Sequence, residues 1–301
     1  MSASSNHHDV DIGADFRARL ESLKDWIGQR EVLTDYVTIA SVQRLSATLD
    51  RADPLPCNGD PLPLGWHSIL FPRVVRHSEV GADGHPQRGD FLPPVPLPRR
   101  MFAGRRSWFH QALRVGDVVT KDARIHAITI KEGRAGTMVF VTVRAEISTT
   151  AGVAITEEQD IVYRGEPSVG AGSMDKPAPR RAPNDAPWRA VVQADEVRLF
   201  RYSALTFNGH RIHYDQPYAT QNEGYPGLVM NGGLTTLFLY ELIRAHSDRA
   251  LKMLSSRNVT ALFANQPVQL LGVPSTDGLA AQLFAVSADG AIAVEAQAAF
   301  D

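Results

Sequence analysis

The sequence predicts an α+β protein with two halves, each an antiparallel sheet wrapped around a helix. The chain has 301 residues, a length that suits two domains of about 150 residues each. Residues 165–187 are rich in proline, glycine and small side chains without an apolar period, which is typical of a linker. Strand-like runs occur on both sides of it. We therefore expect an N-terminal domain at 1–164 and a C-terminal domain at 188–301.

The C-terminal half has a readable order of elements. Trp188 to Gln193 suggests a short strand, and Asp195 can cap a helix that runs to Leu205. In residues 234–244 apolar side chains recur at helical spacing and cover more than one face, which is typical of a buried helix. Three strand-like runs follow, with the hairpin signal Asp289-Gly290 between the last two, at 261–271, 279–287 and 291–300. A long apolar helix followed by antiparallel strands describes the hot-dog fold.

The N-terminal half ends in a similar way, with strand-like runs at 116–130, 137–147 and 153–163. Residues 44–49, Arg-Leu-Ser-Ala-Thr-Leu, faintly echo residues 201–206, Arg-Tyr-Ser-Ala-Leu-Thr, and both lie late in a predicted helix. This half lacks an obvious long buried helix and is rich in proline between residues 53 and 98. We interpret it as a degenerate copy of a duplicated domain, which predicts a double hot-dog.

Composition excludes several classes of function. The 31 basic and 33 acidic residues form no long basic run, so nucleic acid is not an expected partner. No apolar run is long enough for a membrane span, and the polar N-terminus does not resemble a signal peptide. The single cysteine, Cys57, cannot form an internal disulfide, which fits a reducing cytoplasm. No metal-ligand spacing and no motif for a nucleotide or redox cofactor is found, so we expect neither metal nor cofactor.

The polar segment at 208–213, Asn-Gly-His-Arg-Ile-His, is the strongest candidate for chemistry. Histidine is the side chain best suited to move a proton near neutral pH, and an asparagine beside it can hold a water molecule. The alternative is a solvated loop without a role in catalysis.

A glycine pair at the predicted start of the buried helix is a second candidate. The first N–H groups of a helix have no partner within it, and Gly232 and Gly233 would let a ligand approach them closely. A thioester carbonyl directed at these groups would be polarised, and the charge on its oxygen stabilised. The alternative is that the glycines only permit a tight turn into the helix.

Residues 202–215, Tyr-Ser-Ala-Leu-Thr-Phe-Asn-Gly-His-Arg-Ile-His-Tyr-Asp, resemble the signature of the MaoC-like, or hydratase-2, superfamily of hot-dog enzymes. Alignment on His213 places Asn208 where many members have an aspartate, while His210 and Arg211 replace the usual asparagine and proline. This departure is characteristic of the branch that contains mesaconyl-C4-CoA (3-methylfumaryl-CoA) hydratases and mitochondrial-type 3-hydroxyacyl-thioester dehydratases. Segments of the N-terminal half also resemble that branch, at 83–86, 91–104, 131–136 and 157–164.

The resemblance implies a hydro-lyase with one working site per chain, supplied by the C-terminal half. His213 is then the general base in hydration, Asn208 orients the water, and the N–H of Gly232 or Gly233 binds the oxyanion. Arg211 and Arg100 are candidates for binding a substrate carboxylate or a CoA phosphate, with a bracing ion pair as the alternative for Arg211. Tyr225 would line the pocket or simply pack.

The expected substrate is an α,β-unsaturated acyl-CoA, with hydration of mesaconyl-C4-CoA to citramalyl-CoA as the named hypothesis. A general 3-hydroxyacyl-thioester dehydratase of fatty acid metabolism is the nearest alternative. A hot-dog thioesterase and a non-catalytic acyl-CoA-binding module belong to other classes. A homodimer is the expected assembly.

Overall fold

One antiparallel sheet of ten strands runs through the part of the chain that the structure describes. The computed structural model describes residues 8–133, 136–165 and 179–301. The strands follow the order β1-β3-β4-β5-β2-β7-β10-β9-β8-β6 across the sheet. Their bounds are β1 Arg30–Tyr36, β2 Arg99–Phe109, β3 Val118–Gly133, β4 Gly136–Thr149, β5 Gly152–Arg164, β6 Trp188–Gln193, β7 Leu251–Asn258, β8 Pro267–Pro274, β9 Ala280–Val286 and β10 Ile292–Phe300.

The two halves of the sheet repeat one topology. Each half begins with an edge strand, β1 or β6, which leads into a helix, α2 (Ile39–Thr48) or α3 (Glu196–Leu205). Four strands then follow in matching positions, so that β2 and β7 meet at the centre of the sheet. The segments that echo each other in sequence lie at the ends of α2 and α3. This arrangement confirms the predicted α+β double hot-dog.

Among the described residues, the long buried helix lies in the C-terminal half. Helix α4 spans Gly232–His246, and its side chains from Leu234 to Ile243 are almost all buried in the main core. Between α2 and β2, the described chain instead forms two short 3-10 turns, Trp66–Ile69 and His77–Glu79. The N-terminal half therefore lacks a long buried helix between α2 and β2, as predicted for a degenerate copy. A further helix, α1 (His8–Ser22), precedes β1.

Several element predictions need correction. The strand predicted at 261–271 begins only at Pro267, because residues 261–266 form a turn that pairs with the approach to α4. Strand β7 was not predicted, and neither were β1 and β2. The division into domains at 165–187 stays a prediction, since residues 166–178 lie outside the described residues. In the described parts of the chain no helix has both the length and the apolarity needed to cross a membrane.

Candidate active site

The polar segment after α3 is a loop with internal hydrogen bonds. The backbone N–H of Asn208 donates to the carbonyl of Ser203 at 2.8 Å, and its side-chain Oδ1 accepts from the N–H of His210 at 3.1 Å. Phe207 turns the chain with a positive φ of 52°. A 3-10 turn, Arg211–His213, follows directly. The loop is therefore shaped by its own polar groups and is not a freely solvated segment.

His213 is buried at the end of this turn, with 7% of its surface exposed. Its Nδ1 lies 2.7 Å from the carbonyl oxygen of Val229. Because a carbonyl only accepts, Nδ1 carries the proton and Nε2 keeps a lone pair. Burial lowers the pKa of His213 to about 4, against the opposing effect of the Val229 carbonyl. The imidazole is thus neutral at pH 7 and has the form that a general base requires.

The start of α4 is joined to this turn by hydrogen bonds. The N–H of Val229 donates to the carbonyl of Ile212 at 2.9 Å, three residues before α4 begins at Gly232. The N-cap residue, Asn231, makes no side-chain cap hydrogen bond. Asn231 therefore leaves the first N–H groups of the helix uncapped, and their role in binding the oxyanion stays a prediction.

Both glycines at the helix start also have a packing reason. A Cβ at Gly233 would lie 2.4 Å from the Tyr202 hydroxyl, and one at Gly232 would lie 3.0 Å from Phe102 and from Asn258. The glycines are therefore needed for close packing at the start of the helix. This packing reason does not exclude a role of the uncapped N–H groups in binding a ligand.

A turn from the N-terminal half completes the surroundings of the loop. Gly84 packs so closely on Gly209 that a Cβ at Gly84 would lie 1.9 Å from the Gly209 carbonyl oxygen. The ring of His85 lies 4.0 Å from that of His210, which in turn meets His213 edge-on at 5.4 Å. Three imidazoles thus form a row that ends at the candidate base.

Asp83 orients this row at its far end. Its Oδ2 accepts from Nδ1 of His85 at 3.0 Å. Burial lowers the pKa of His85, although the hydrogen bond to Asp83 opposes the shift. Burial and the neighbouring His85 lower the pKa of His210 to about 2, so this ring is neutral.

Ligand atoms of Asp83, His85 and His210 lie within 4.8 Å of one another, a spacing that the sequence did not reveal and that a metal ion could use. The Asp83–His85 hydrogen bond already occupies one atom of each, and Arg100 places a positive charge nearby. These contacts oppose cation binding.

Arg211 makes the bracing contacts that were the alternative to substrate binding. Its Nε and Nη2 both donate to Oδ2 of Asp215, and its Nη1 donates to the carbonyl of Ala82 at 3.1 Å. The guanidinium also lies 4.1 Å from the centroid of the Tyr218 ring. A contact of Arg211 with a substrate carboxylate or a CoA phosphate stays a prediction.

The Arg99-Arg100 pair lies at the start of β2, and its two members face different surroundings. Arg99 forms an ion pair with Glu223 at 3.2 Å and lies 6.0 Å from the ring of Tyr225. Arg100 lies on the side of Asp83 and the histidine row, where its charge contributes to their pKa shifts. Tyr225 packs against Phe263 at 6.2 Å. Substrate roles for Arg100 and Tyr225 also stay predictions.

Sequence reasoning missed the part played by the N-terminal turn. Asp83 and His85 were noticed in a recurring segment and His210 in the polar segment at 208–213, but contact between the two segments was not predicted. Their approach to His213 depends on packing between residues more than 120 positions apart, which no local pattern reveals. The signal available was a Gly-His-Pro turn with an acidic residue inside a proline-rich region.

The family model for hydroxyacyl-thioester dehydratase type 2 matches residues 65–264, more than half of the chain. The chain belongs to this family. Its sequence is also 45% identical over 273 residues to the mesaconyl-C(4)-CoA hydratase of Chloroflexus aurantiacus, covering 90% of this chain and 95% of that protein. The resemblance found in the motifs is therefore confirmed, and so is the expectation of a hydro-lyase. The candidate base, His213, lies in the C-terminal part of the matched region.

Solved structures support the fold. HtdX from Mycobacterium tuberculosis superposes with a TM-score of 0.64 at 18% identity, covering 90% of this chain and 99% of that one. Another protein from Mycobacterium tuberculosis, described as having a double hotdog fold, gives a TM-score of 0.52 at 12% identity over 93% of this chain and 97% of its own. At these identities the likeness shows the architecture of the hydroxyacyl-thioester dehydratase type 2 chain and no more.

Proposed function

We propose that the protein catalyses the reversible addition of water to an α,β-unsaturated acyl-CoA, with mesaconyl-C4-CoA to citramalyl-CoA as the preferred reaction. The observation that carries this proposal is His213, a buried neutral imidazole whose Nδ1 is held by Val229 and whose Nε2 is free to accept a proton. The 45% identity to a hydratase named for mesaconyl-C4-CoA supports the choice of acyl group.

The reaction assigns one role to each part of the site. In hydration, Nε2 of His213 takes a proton from water while the water oxygen bonds to the β-carbon. The electron pair of the double bond moves toward the thioester oxygen, whose charge is stabilised by the N–H groups at the start of α4. The enolate then takes a proton at the α-carbon from protonated His213, which restores the base. Dehydration is the reverse.

Asn208 is assigned to orienting the water. Its amide cannot titrate, so proton transfer falls mainly on His213. Its Oδ1 already accepts from the His210 N–H, which fixes the side chain in one orientation. Its Nδ2 remains as the donor toward a water oxygen.

A general 3-hydroxyacyl-thioester dehydratase is the second candidate. The family to which the chain belongs is named for this activity, which supports it directly. The two candidates share one chemistry and differ in acyl group. A preference for straight-chain hydroxyacyl-CoA over the dicarboxylic thioester would favour the dehydratase.

A panel of enoyl-CoA and hydroxyacyl-CoA substrates, assayed with wild type and His213→Ala, tests the proposal. General acid–base catalysis typically contributes about 10²–10⁴-fold, so we expect kcat to fall by at least about 100-fold in the variant. His77→Ala is the control, because His77 is an exposed histidine that is not part of the row of His85, His210 and His213. A near-normal kcat in His213→Ala would contradict the assignment.

The same panel distinguishes a hydratase from a thioesterase and from an acyl-CoA-binding module. Loss of the enoyl absorbance of crotonyl-CoA without release of free CoA indicates a hydratase, whereas release of free CoA indicates a thioesterase. Binding without either change would indicate an acyl-CoA-binding module.

We also propose a homodimer located in the cytoplasm, with no cofactor beyond the CoA of the substrate. The single cysteine, Cys57, is exposed and free, which suits a reducing compartment. Light scattering of the purified chain tests the dimer.

A further inference from the structure

A cluster of buried polar side chains lines the inner face of the N-terminal half, where the C-terminal half has an apolar helix on its sheet. Arg105 and Ser107 stand two residues apart on β2 and therefore point to the same face. Glu157 of β5 and His67 join them, with 7% and 4% of their surfaces exposed. This cluster, together with Lys121 of β3, takes no part in the proton transfer assigned to His213.

Glu157 is the hydrogen-bond acceptor at the centre of the cluster. Glu157 accepts hydrogen bonds from Ser107 and His67, each at 2.9 Å. Burial raises the pKa of Glu157, but Arg105, His67 and Lys121 lower it more, so the carboxylate is charged. Lys121 also faces Glu31, which pairs with Arg73, so Arg105 is the cation that lies against Glu157.

Unused hydrogen-bond donors lie on the side of this cluster that faces the start of α4. Among the described residues, the buried Nε of Arg105 and Oγ of Ser68 have no hydrogen-bond partner of good geometry. Nε of Arg105 is 3.6 Å from Glu157, beyond hydrogen-bond distance. The buried hydroxyl of Tyr202 interacts with that of Ser68, so one of the two O–H groups is left to donate to a ligand. A buried donor without an acceptor destabilises the fold, so this arrangement favours binding of a ligand that supplies a hydrogen-bond acceptor.

These donors lie close to the proposed oxyanion site. The Tyr202 hydroxyl packs directly on Gly233 of α4. The Arg105 guanidinium lies 5.5 Å from the centroid of the Phe102 ring, and that ring in turn packs on Gly232. A carboxylate on the β-carbon of an acyl thioester is about 4 Å from the thioester carbon, since three carbon–carbon bonds separate the two. A thioester bound at the helix start would place such a carboxylate within reach of the cluster.

We propose that Arg105, with the hydroxyls of Tyr202 and Ser68, binds the free carboxylate of a dicarboxylic acyl-CoA. The inference rests on the proposed hydratase function and names the groups that would bind the free carboxylate. The preference for a dicarboxylic over a monocarboxylic thioester then arises on β2, outside the segment that carries His213.

The test compares two substrates in two variants. Mesaconyl-C4-CoA carries the carboxylate, and crotonyl-CoA is a short enoyl thioester that lacks it. Loss of a charge-assisted contact predicts that Arg105→Gln lowers kcat/KM for mesaconyl-C4-CoA by about 10- to 100-fold, mainly through KM, and changes crotonyl-CoA hydration by less than about threefold. Tyr202→Phe should produce a smaller loss with the same selectivity.

Arg106→Gln is the matched control. Arg106 is the next residue on β2, but it points to the opposite face, where it binds Asp160 and Glu158. It should leave the ratio of the two kcat/KM values unchanged. If Arg105→Gln fails to fold, as shown by its melting temperature, Tyr202→Phe and Ser68→Ala carry the test.

An equal loss for both substrates in the variants would overturn the carboxylate site. So would a wild-type enzyme that hydrates crotonyl-CoA and ignores mesaconyl-C4-CoA, although the hydratase function would then stand. If wild type hydrates neither thioester, the proposed function fails, and calorimetric binding of the two thioesters to wild type and Arg105→Gln decides the carboxylate site separately.

Discussion

At the scale of single residues, the chemistry depends on how burial and one hydrogen bond set the state of His213. The Val229 carbonyl selects the tautomer, and burial keeps the ring neutral. The sequence identified this residue as the candidate base, because a histidine in a motif is visible in the chain. Its protonation state was not predictable, since it depends on Val229, 16 residues away, and on the burial of the whole turn.

The pH profile of kcat/KM follows from this state. A base with a pKa near 4 is already deprotonated at pH 7. We expect kcat/KM for hydration to be flat from pH 8 to about pH 5 and to fall as the pH approaches 4, where His213 becomes protonated. Initial rates after a rapid pH jump would measure this before acid unfolding. A fall centred near 6.5, the ordinary value for histidine, would contradict the assignment.

Asn208→Asp tests whether the residue only orients water. A carboxylate oxygen can still accept from the His210 N–H, so the loop should keep its shape. We expect kcat to fall by less than about tenfold, because a positioning contact is weakened while the base is intact. Asn208→Ala removes the Oδ1 acceptor and should lower kcat further than Asn208→Asp does. A complete loss of activity in Asn208→Asp would assign this position a more demanding role.

At the scale of elements, the catalytic loop depends on the turn at residues 83–86. Gly84 has a φ of +87°, and a Cβ there would overlap the Gly209 carbonyl at 1.9 Å. Gly84→Ala should therefore separate the turn from the loop and disturb the row of His85, His210 and His213. We expect a loss of kcat/KM of at least about tenfold, in line with the effect of small misplacements on catalysis.

Gly59→Ala is the matched control for this variant. Gly59 has a similar φ of +92°, but a Cβ added there would meet nothing within 4 Å. Both variants share the backbone strain, and only Gly84→Ala adds the clash. Equal kcat/KM values in the two variants would show that the turn does not support the loop.

The elements also show what the sequence could predict. Helix α4 was found because its apolar side chains cover several faces, and β9 and β10 because a hairpin signal separates them. Strand β2 was missed, since it is rich in arginine. Arg105 and Arg106 lie at adjacent positions on opposite faces, where Arg106 pairs with Asp160 and Arg105 with Glu157. Neither contact could be predicted from the sequence, because both depend on which strands pair with β2.

At the scale of the whole molecule, the buried titratable groups make stability sensitive to acid. The folded-state pKa values of His213 and His210 are lowered, so the unfolded chain binds more protons below about pH 6.5. Stability should therefore fall as the pH drops from 6.5 to about 4. The contribution of His213 alone is about 3 kcal/mol over this window. The lowered pKa of Glu157 adds to the loss at still lower pH.

Thermal unfolding between pH 7 and pH 4 measures this dependence. The melting temperature should decrease steadily, and His213→Gln should reduce the slope because it removes one of the titrating groups. A melting temperature that stays constant from pH 6.5 to pH 4.5 would show that these histidines are not buried in the neutral form.

The pairing of β2 with β7 has a consequence for how the two halves could diverge. In a symmetric pair of identical subunits, every substitution appears in both copies, so a side chain that improves one site also alters the other. Here the two halves belong to one continuous sheet but are encoded separately. The N-terminal half could therefore exchange a helix for a charged interior without disturbing the helix that the other half needs. Covalent linkage thus lets a symmetric scaffold become asymmetric around a single substrate.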